Sequence, residues 1–270
     1  MCRIFGCVAR QPVSIRPELL TAENPLIRQS EEHDSGWGMA VYTRPDAGEP
    51  RLVRFPTPAH AGEGFGQATE LEGRIFNAHV RSASIGGLTL ENTHPFVLAG
   101  YSFCHNGTIL DFPKLLEDGV APPIGQTDSE HLFNLLMRDY DPAHPVGSLR
   151  GAMLRAVRSG PLTGLNFLFS DGERLFAYKL GVHSLHWRAE PGRLLVSSEP
   201  VGGGFWHSVN DDVLLVLDPE DPEEPHAERL VGDAELAGAR IVPEEGKGLR
   251  GDERGAFAAE RAARLSALRH

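Results

Sequence analysis

The chain has 270 residues, 41% of them hydrophobic and 23% charged, enough to bury a sizeable core in one large domain or two small ones. Its 26 basic and 37 acidic residues leave a net charge of -11, which argues against a broad phosphate-binding face and so against nucleic acid as a partner. No apolar run approaches the roughly 18 residues of a membrane span, and MCRIFGCVAR lacks the apolar stretch of a secretory signal, so a cytoplasmic protein with no membrane partner is expected.

In chain order, short apolar runs between Gly, Pro and Asn breaks predict strands at Cys2 to Ala9, Gly38 to Thr43, Arg51 to Phe55, Arg74 to Val80 and Phe96 to His105. A capping-box pattern, Thr127-Asp128-Ser129-Glu130, then opens a helix predicted from Asp128 to Asp139, with Leu132, Leu135 and Leu136 as its apolar face. A second helix is predicted from Leu149 to Arg158, where Leu149, Met153, Leu154 and Val157 share one side. Five more strands follow at Leu165 to Ser170, Leu175 to Leu180, Ser184 to Arg188, Arg193 to Ser197 and Val213 to Leu217. After Asp218 the composition turns to Pro, Glu and Asp and reads as an acidic loop. One domain over residues 2–250 is the simplest division, with residues 251–270 a peripheral helix or tail.

Cys2, Cys7 and Cys104 show no CxxC spacing, and the twelve His residues form no HExxH, so neither a metal nor another cofactor is expected. Position gives Cys2 a chemistry of its own. A small residue at position two normally lets the initiator Met be removed, leaving one residue that carries a thiol and a free α-amine. With pKa values of about 8.5 and about 7.7 to 8.0, the amine can take the thiol's proton near neutral pH and later protonate a leaving group. Attack on a carbonyl then needs oxyanion donors, for which Asn106 and Gly107, at a strand end, are candidates. An amino-acid substrate would also need a cation and an anion: Arg81, flanked by the hydroxyls of Ser82 and Ser84, and Asp128, in the first turn of the capped helix. Each feature has a plainer role as well: a small apolar Cys, a hairpin turn, a solvated Arg, a helix-start charge. His33-Asp34 could suggest a triad with Cys2, but neighbouring residues in a strand point to opposite faces; Trp37 and its flanking glycines, and His94 within Asn92 to Phe96, read better as pocket walls.

These segments, in this order, resemble the class II glutamine amidotransferase domain of the Ntn-hydrolase superfamily. Met1 to Gly6 looks like its processed Cys opening, Ser35-Gly36-Trp37-Gly38 like its Asp-Gly-Trp-Gly, and His79-Val80-Arg81-Ser82-Ala83-Ser84 like its His-Thr-Arg-Tyr-Ala-Thr. Asn92 to Phe96 is similar to Asn-x-x-Pro-Phe, His105-Asn106-Gly107 to the oxyanion-hole His-Asn-Gly, Thr127 to Glu130 to Ser-Asp-Thr-Glu, and Ser197 to Pro200 to a later Ser-Glu-Pro strand. The resemblance implies an α+β, four-layer αββα sandwich of two stacked, mainly antiparallel sheets. It implies Cys2 as nucleophile and base, Asn106 and Gly107 on the oxyanion, Arg81 on the substrate carboxylate and Asp128 on its ammonium. Ser84, Trp37, His79 and His94 complete the expected substrate site. Roughly seventy residues after Glu199 are too few for a fused synthase, so the stand-alone subgroup is expected. Its members can be glutaminases, ammonia-producing subunits for an acceptor synthase, or γ-glutamyl amide hydrolases of the ergothioneine-pathway type. A non-catalytic glutamine-binding module and a homo-oligomer also stay open.

Overall fold

The structure is a computed structural model that describes residues 2–44, 48–116 and 119–244. The expected helix or tail at 251–270 lies outside the described residues.

Thirteen strands are described: β1 Arg3–Ser14, β2 Trp37–Tyr42, β3 Arg51–Phe55, β4 Glu72–Val80, β5 Phe96–Leu98, β6 Tyr101–Asn106, β7 Asn166–Ser170, β8 Leu175–Lys179, β9 His186–Glu190, β10 Arg193–Ser197, β11 His207–Ser208, β12 Val213–Leu217 and β13 His226–Arg229. They form two antiparallel sheets, ordered β11-β9-β10-β1-β4-β2-β3 and β13-β12-β8-β7-β6-β5. The helices are α1 Leu26–Gln29, α2 Glu63–Ala68, α3 Asp128–Arg138, α4 Pro145–Ser159 and α5 Asp233–Leu236.

Strand alternation sorts the side chains into three cores and thereby builds four layers. Ile4 and Val8 of β1 meet Cys104, Leu168 and Ala177 of the second sheet in the middle core. Phe5 and Cys7 face the other way, onto Leu19, Leu26 and Phe65. Phe103, Phe167 and Tyr178 likewise face away from the middle, onto Leu132 and Leu136 of α3 and Leu149 and Met153 of α4. Gly6 sits between Ile4 and Val8 on the inner face, where a Cβ would lie 2.6 Å from Leu175 Cδ2, so the missing side chain lets the sheets close. Polar links also cross the gap: Asn77 Nδ2 donates to Ser102 Oγ and to the Leu168 carbonyl, both at 3.3 Å, and Tyr42 OH donates to the Gly100 carbonyl at 2.9 Å.

Local departures from expectation have identifiable causes. The run Phe96 to His105 is a hairpin rather than one strand, because Ala99 (φ 50°) and Gly100 (φ 84°) turn the chain through the left-handed region, which Ala seldom enters and so does not announce. Helix α4 starts four residues before the predicted Leu149, at Pro145, whose fixed φ and missing N–H suit a first turn. The acidic stretch after Asp218 contains β13 and α5, held by Asp212: its carboxylate accepts from the N–H groups of Val231 at 2.7 Å and Gly232 at 2.9 Å and from Tyr178 OH at 3.0 Å.

Candidate active site

The register of β1 against β4, Arg3 opposite Val80 and Ile4 opposite His79, sets Cys2 beside Arg81 at one end of the first sheet. The ladder continues past β2: Ser35 N–H donates to the Arg81 carbonyl at 2.9 Å and Arg81 N–H to the Gly36 carbonyl at 2.7 Å. Ser198 secures the other flank of β1, its Oγ accepting from Ile4 N–H at 3.1 Å and its own N–H donating to the Ile4 carbonyl at 3.0 Å. Cys2 is half-buried, and its Sγ accepts from Ser82 N–H at 3.4 Å while facing the Ser82 carbonyl at 3.5 Å. Burial raises the thiol pKa; the Ser82 hydrogen bond and the Arg81 charge oppose that rise, and the Glu244 carboxylate adds to it.

Arg81 is 2% exposed, and its guanidinium donates to the carbonyls of Gly87 and Ile85 at 2.9 Å and of Gly86 at 3.2 Å. It therefore pins the 85–87 loop as well as presenting charge. Burial lowers its pKa, while the charges of Cys2 and Asp128 raise it, which places all three in one electrostatic neighbourhood.

The second sheet supplies the facing elements. Asn106 and Gly107 do not form a hairpin. Pairing with the 162–166 segment runs on through them: Asn106 lies opposite Asn166, Thr163 N–H donates to the Thr108 carbonyl at 2.9 Å, and Ile109 bridges Leu162. A Cβ on Gly107 would stand 2.0 Å from the Gly164 carbonyl oxygen, so only glycine lets the two backbones meet. Asn106 is 2% exposed, and its Oδ1 has no hydrogen-bond partner among the described residues. Thr108 Oγ1 donates to Ser84 Oγ at 3.2 Å, tying this segment to the loop after Arg81. Asp128 Oδ2 accepts from Ile109 N–H at 2.8 Å, and His105 meets Ser129 Oγ at 2.9 Å through Nδ1 and the Gly164 carbonyl at 3.2 Å through Nε2. Hydrogen bonds between Cys2 and Ser82, from Thr108 to Ser84 and from Ile109 to Asp128 thus tie the 82–84 and 108–109 segments together between the thiol and α3.

The class II glutamine amidotransferase family model matches residues 1–195, a span that takes in every residue from Cys2 to Asp128. The chain belongs to that family. Among this chain's relatives, an uncharacterized protein of Methanocaldococcus jannaschii is 36% identical over 213 residues, 74% of this chain and 58% of that one, so the chain spans somewhat over half of that relative's length. The γ-glutamyl-hercynylcysteine sulfoxide hydrolase of Mycobacterium tuberculosis is 26% identical over 226 residues, covering 80% of this chain and 92% of its own. The glutamine phosphoribosylpyrophosphate amidotransferase of B. subtilis superposes with a TM-score of 0.62 at 19% identity, over 86% of this chain and 50% of that one, which shows a shared fold of two stacked antiparallel sheets.

Of the residues expected at the site, Cys2, Ser84 and Asp128 make these hydrogen bonds, and Arg81, Asn106 and Gly107 flank them in the chain. His79 and His94 stack on each other with ring centroids 4.1 Å apart, and among the described residues neither makes a well-formed hydrogen bond through its ring nitrogens. Burial holds both neutral, pushing His79 down to about 3 and His94 well below 6.5. They form an uncharged wall behind Arg81. Trp37 does not join the group: it stacks on Phe55 at 5.1 Å and meets Phe65 edge-on at 4.9 Å in the outer core. Gly38 beside it faces inward, where a Cβ would lie 2.3 Å from the His94 carbonyl oxygen, so the glycine rather than the tryptophan shapes the site wall. The capping box is half realised. Thr127 Oγ1 accepts from Glu130 N–H at 3.2 Å, but the Glu130 carboxylate accepts from Ile124 N–H at 2.9 Å and Gly125 N–H at 2.7 Å, holding the preceding loop. Sequence reasoning passed over Thr163 and Gly164 and took Ser198 only as part of the Ser197 to Pro200 motif; their contacts with the backbones of Thr108, Gly107 and Ile4 are ones that no spacing encodes.

Among the described residues no helix is long and apolar enough to cross a membrane.

Proposed function

We propose that this class II glutamine amidotransferase family member hydrolyses the side-chain amide of glutamine or a γ-glutamyl relative, with Cys2, freed of Met1, as nucleophile and base. The observation that carries this reading is the seat of the Cys2 thiol: half-buried, bonded to Ser82 N–H at 3.4 Å and beside the buried Arg81 charge. In this reading the α-amine takes the thiol proton and the sulfur bonds to the amide carbon. Asn106 and the Gly107 N–H stabilise the oxyanion, the largest single contribution expected in acyl transfer. Arg81 faces the substrate carboxylate and Asp128 its ammonium. Collapse breaks the C–N bond, the amine leaves with the proton held by the α-amine, and water cleaves the γ-glutamyl thioester to glutamate.

Ammonia passed to an acceptor synthase, or released free, is equally compatible with this chemistry. The test is glutamate release from glutamine and from γ-glutamyl dipeptides by the processed protein. Cys2→Ala and Cys2→Ser are expected to lose about 10³-fold or more in turnover while their melting curves match the parent. Glutamate release that survives either substitution would overturn the reading, as would glutamine binding without any release.

A further inference from the structure

Removal of Met1 makes Cys2 the end of the chain, and chain ends fray unless something ties them down. A nucleophile that is also its own base tolerates little of this, since thiol, amine and amide carbon must keep one geometry through the reaction. The α-carbon of Cys2 bears the Cβ that carries the thiol, the carbonyl carbon and the α-nitrogen. With the first two held, chirality leaves the amine one place.

Ser82 holds the thiol from the front, its N–H donating to Sγ at 3.4 Å. Arg3 holds the carbonyl from behind. Like Phe5 and Cys7, Arg3 sends its side chain to the outer face of the first sheet, beside Arg28 and Gln29 of α1 and away from the thiol. From there its Nη1 reaches back to donate to the Cys2 carbonyl at 3.3 Å, and its Nη2 pairs with the Glu199 carboxylate. Register brings that partner into place: Ser197 lies opposite Phe5, Ser198 bonds the N–H and the carbonyl of Ile4, and Glu199 arrives next to Arg3. Arg3 is only 8% exposed, so its charge depends on the carboxylate, and the fork of the guanidinium lets one nitrogen serve Glu199 while another serves Cys2. The ion pair by itself would serve the sheet; the bond to the Cys2 carbonyl is what reaches the site.

We propose that Arg3, oriented by Glu199, is a positioning residue for the hydrolysis: by fixing the Cys2 carbonyl it fixes the α-amine beside the thiol, so that the proton passes from sulfur to nitrogen and on to the departing amine. The inference rests on the reading of Cys2 as an N-terminal nucleophile. No bond to Arg3 forms or breaks. Its charge has a second effect, because a cation against the carbonyl disfavours another positive charge on the adjacent amine, and Glu199 moderates that. Around Cys2 also stand Arg81 and Glu244, whose charges act on the thiol, and the buried Cys104 and His183, the first raised well above 9.0 and the second held near 3. These groups stay constant when Arg3 or Glu199 is changed.

The test is glutamate release from glutamine as a function of pH, by the processed full chain and by Arg3→Gln, Arg3→Lys, Glu199→Gln and the double variant Arg3→Gln with Glu199→Gln. Arg3→Gln is expected to lose about 30-fold in kcat with KM changed by less than about threefold, Arg3→Lys to recover most of that loss, and the double variant to fall no further than Arg3→Gln alone. The acid limb of the kcat/KM profile, where the amine must be unprotonated, should move to higher pH in Arg3→Gln and to lower pH in Glu199→Gln. A parent-like kcat in Arg3→Gln, a loss carried by KM instead, or acid limbs that stay put or move together would each overturn the positioning role, and with Cys2→Ala inert would leave the nucleophile assignment standing. Should Arg3→Gln fail to fold, Glu199→Gln decides, and an unmoved acid limb there overturns the role. Turnover by Cys2→Ala would remove both readings.

Discussion

The carboxylate of Asp128 accepts a 2.8 Å hydrogen bond from the backbone N–H of Ile109, two residues beyond Gly107, so the first turn of α3 and the proposed oxyanion segment are held as one unit. Asp128 is 3% exposed, and its charge acts on both Arg81 and His105. Two substitutions separate its structural and binding roles. Asp128→Asn keeps an oxygen for Ile109 and is expected to fold normally while KM for glutamine rises at least tenfold. Asp128→Ala also strands a buried N–H and should cost about 1 to 3 kcal/mol of stability, read by chemical denaturation. An Asn variant with unchanged KM would remove Asp128 from substrate recognition.

Gly107 is where the two backbones meet. Adding one methyl places a carbon on the Gly164 carbonyl, and neither backbone can yield without breaking the Thr108–Thr163 pairing. Gly107→Ala is expected to lose about 1 to 3 kcal/mol and nearly all turnover. Gly203, which has open space around its Cβ position, serves as control, and Gly203→Ala should stay within roughly 0.5 kcal/mol of the parent.

The charges around Cys2 set the pH at which it alkylates. Since the Arg81 charge lowers the thiol pKa and Glu244 raises it, Arg81→Gln should move the iodoacetamide rate profile to higher pH and Glu244→Gln should move it lower. Cys7, buried and pushed up to about 12, and Cys104, buried and raised well above 9.0, are expected to stay unmodified in the folded protein. Shifts of the same sign in the two variants would contradict this electrostatic picture.

Acid should unfold the protein through its neutral histidines. His79 and His183 are held near 3 and His94 well below 6.5, in each case chiefly by burial. Their folded pKa values lie below the unfolded one, so between about 6.5 and 3 the unfolded chain binds the extra protons. The stability these groups contribute is complete above roughly pH 6.5 and drains as the pH falls through that window. A melting temperature that drops between pH 7 and 4, less steeply in His79→Phe than in the parent, is the expected result.

Fold class and the ordered motifs were legible because strand breaks, the Thr127 cap and the Asn106-Gly107 pair are local signals. The face each residue takes was not. In β2 all six residues are buried, so no polar alternation marks which side of Trp37 meets the site, and only the finished sandwich sends Trp37 outward and Gly38 inward. Nor could spacing reveal that Glu130 serves the backbone of Ile124 and Gly125 instead of its own helix start, since both acceptances look alike in sequence. The Ala99-Gly100 turn and β13 were hidden for a related reason: an Ala in the left-handed region and a strand of His, Ala, Glu and Arg are specified by their pairing partners.

The most direct measurement is mass spectrometry of catalytically competent protein after inactivation with an electrophilic glutamine analogue. The predicted result is one adduct per chain, mapped to an N-terminal peptide that begins at Cys2 with an unblocked α-amine, and activity lost in proportion to labelling. Label on Cys7 or Cys104, or full activity in chains that still carry Met1, would contradict the assignment.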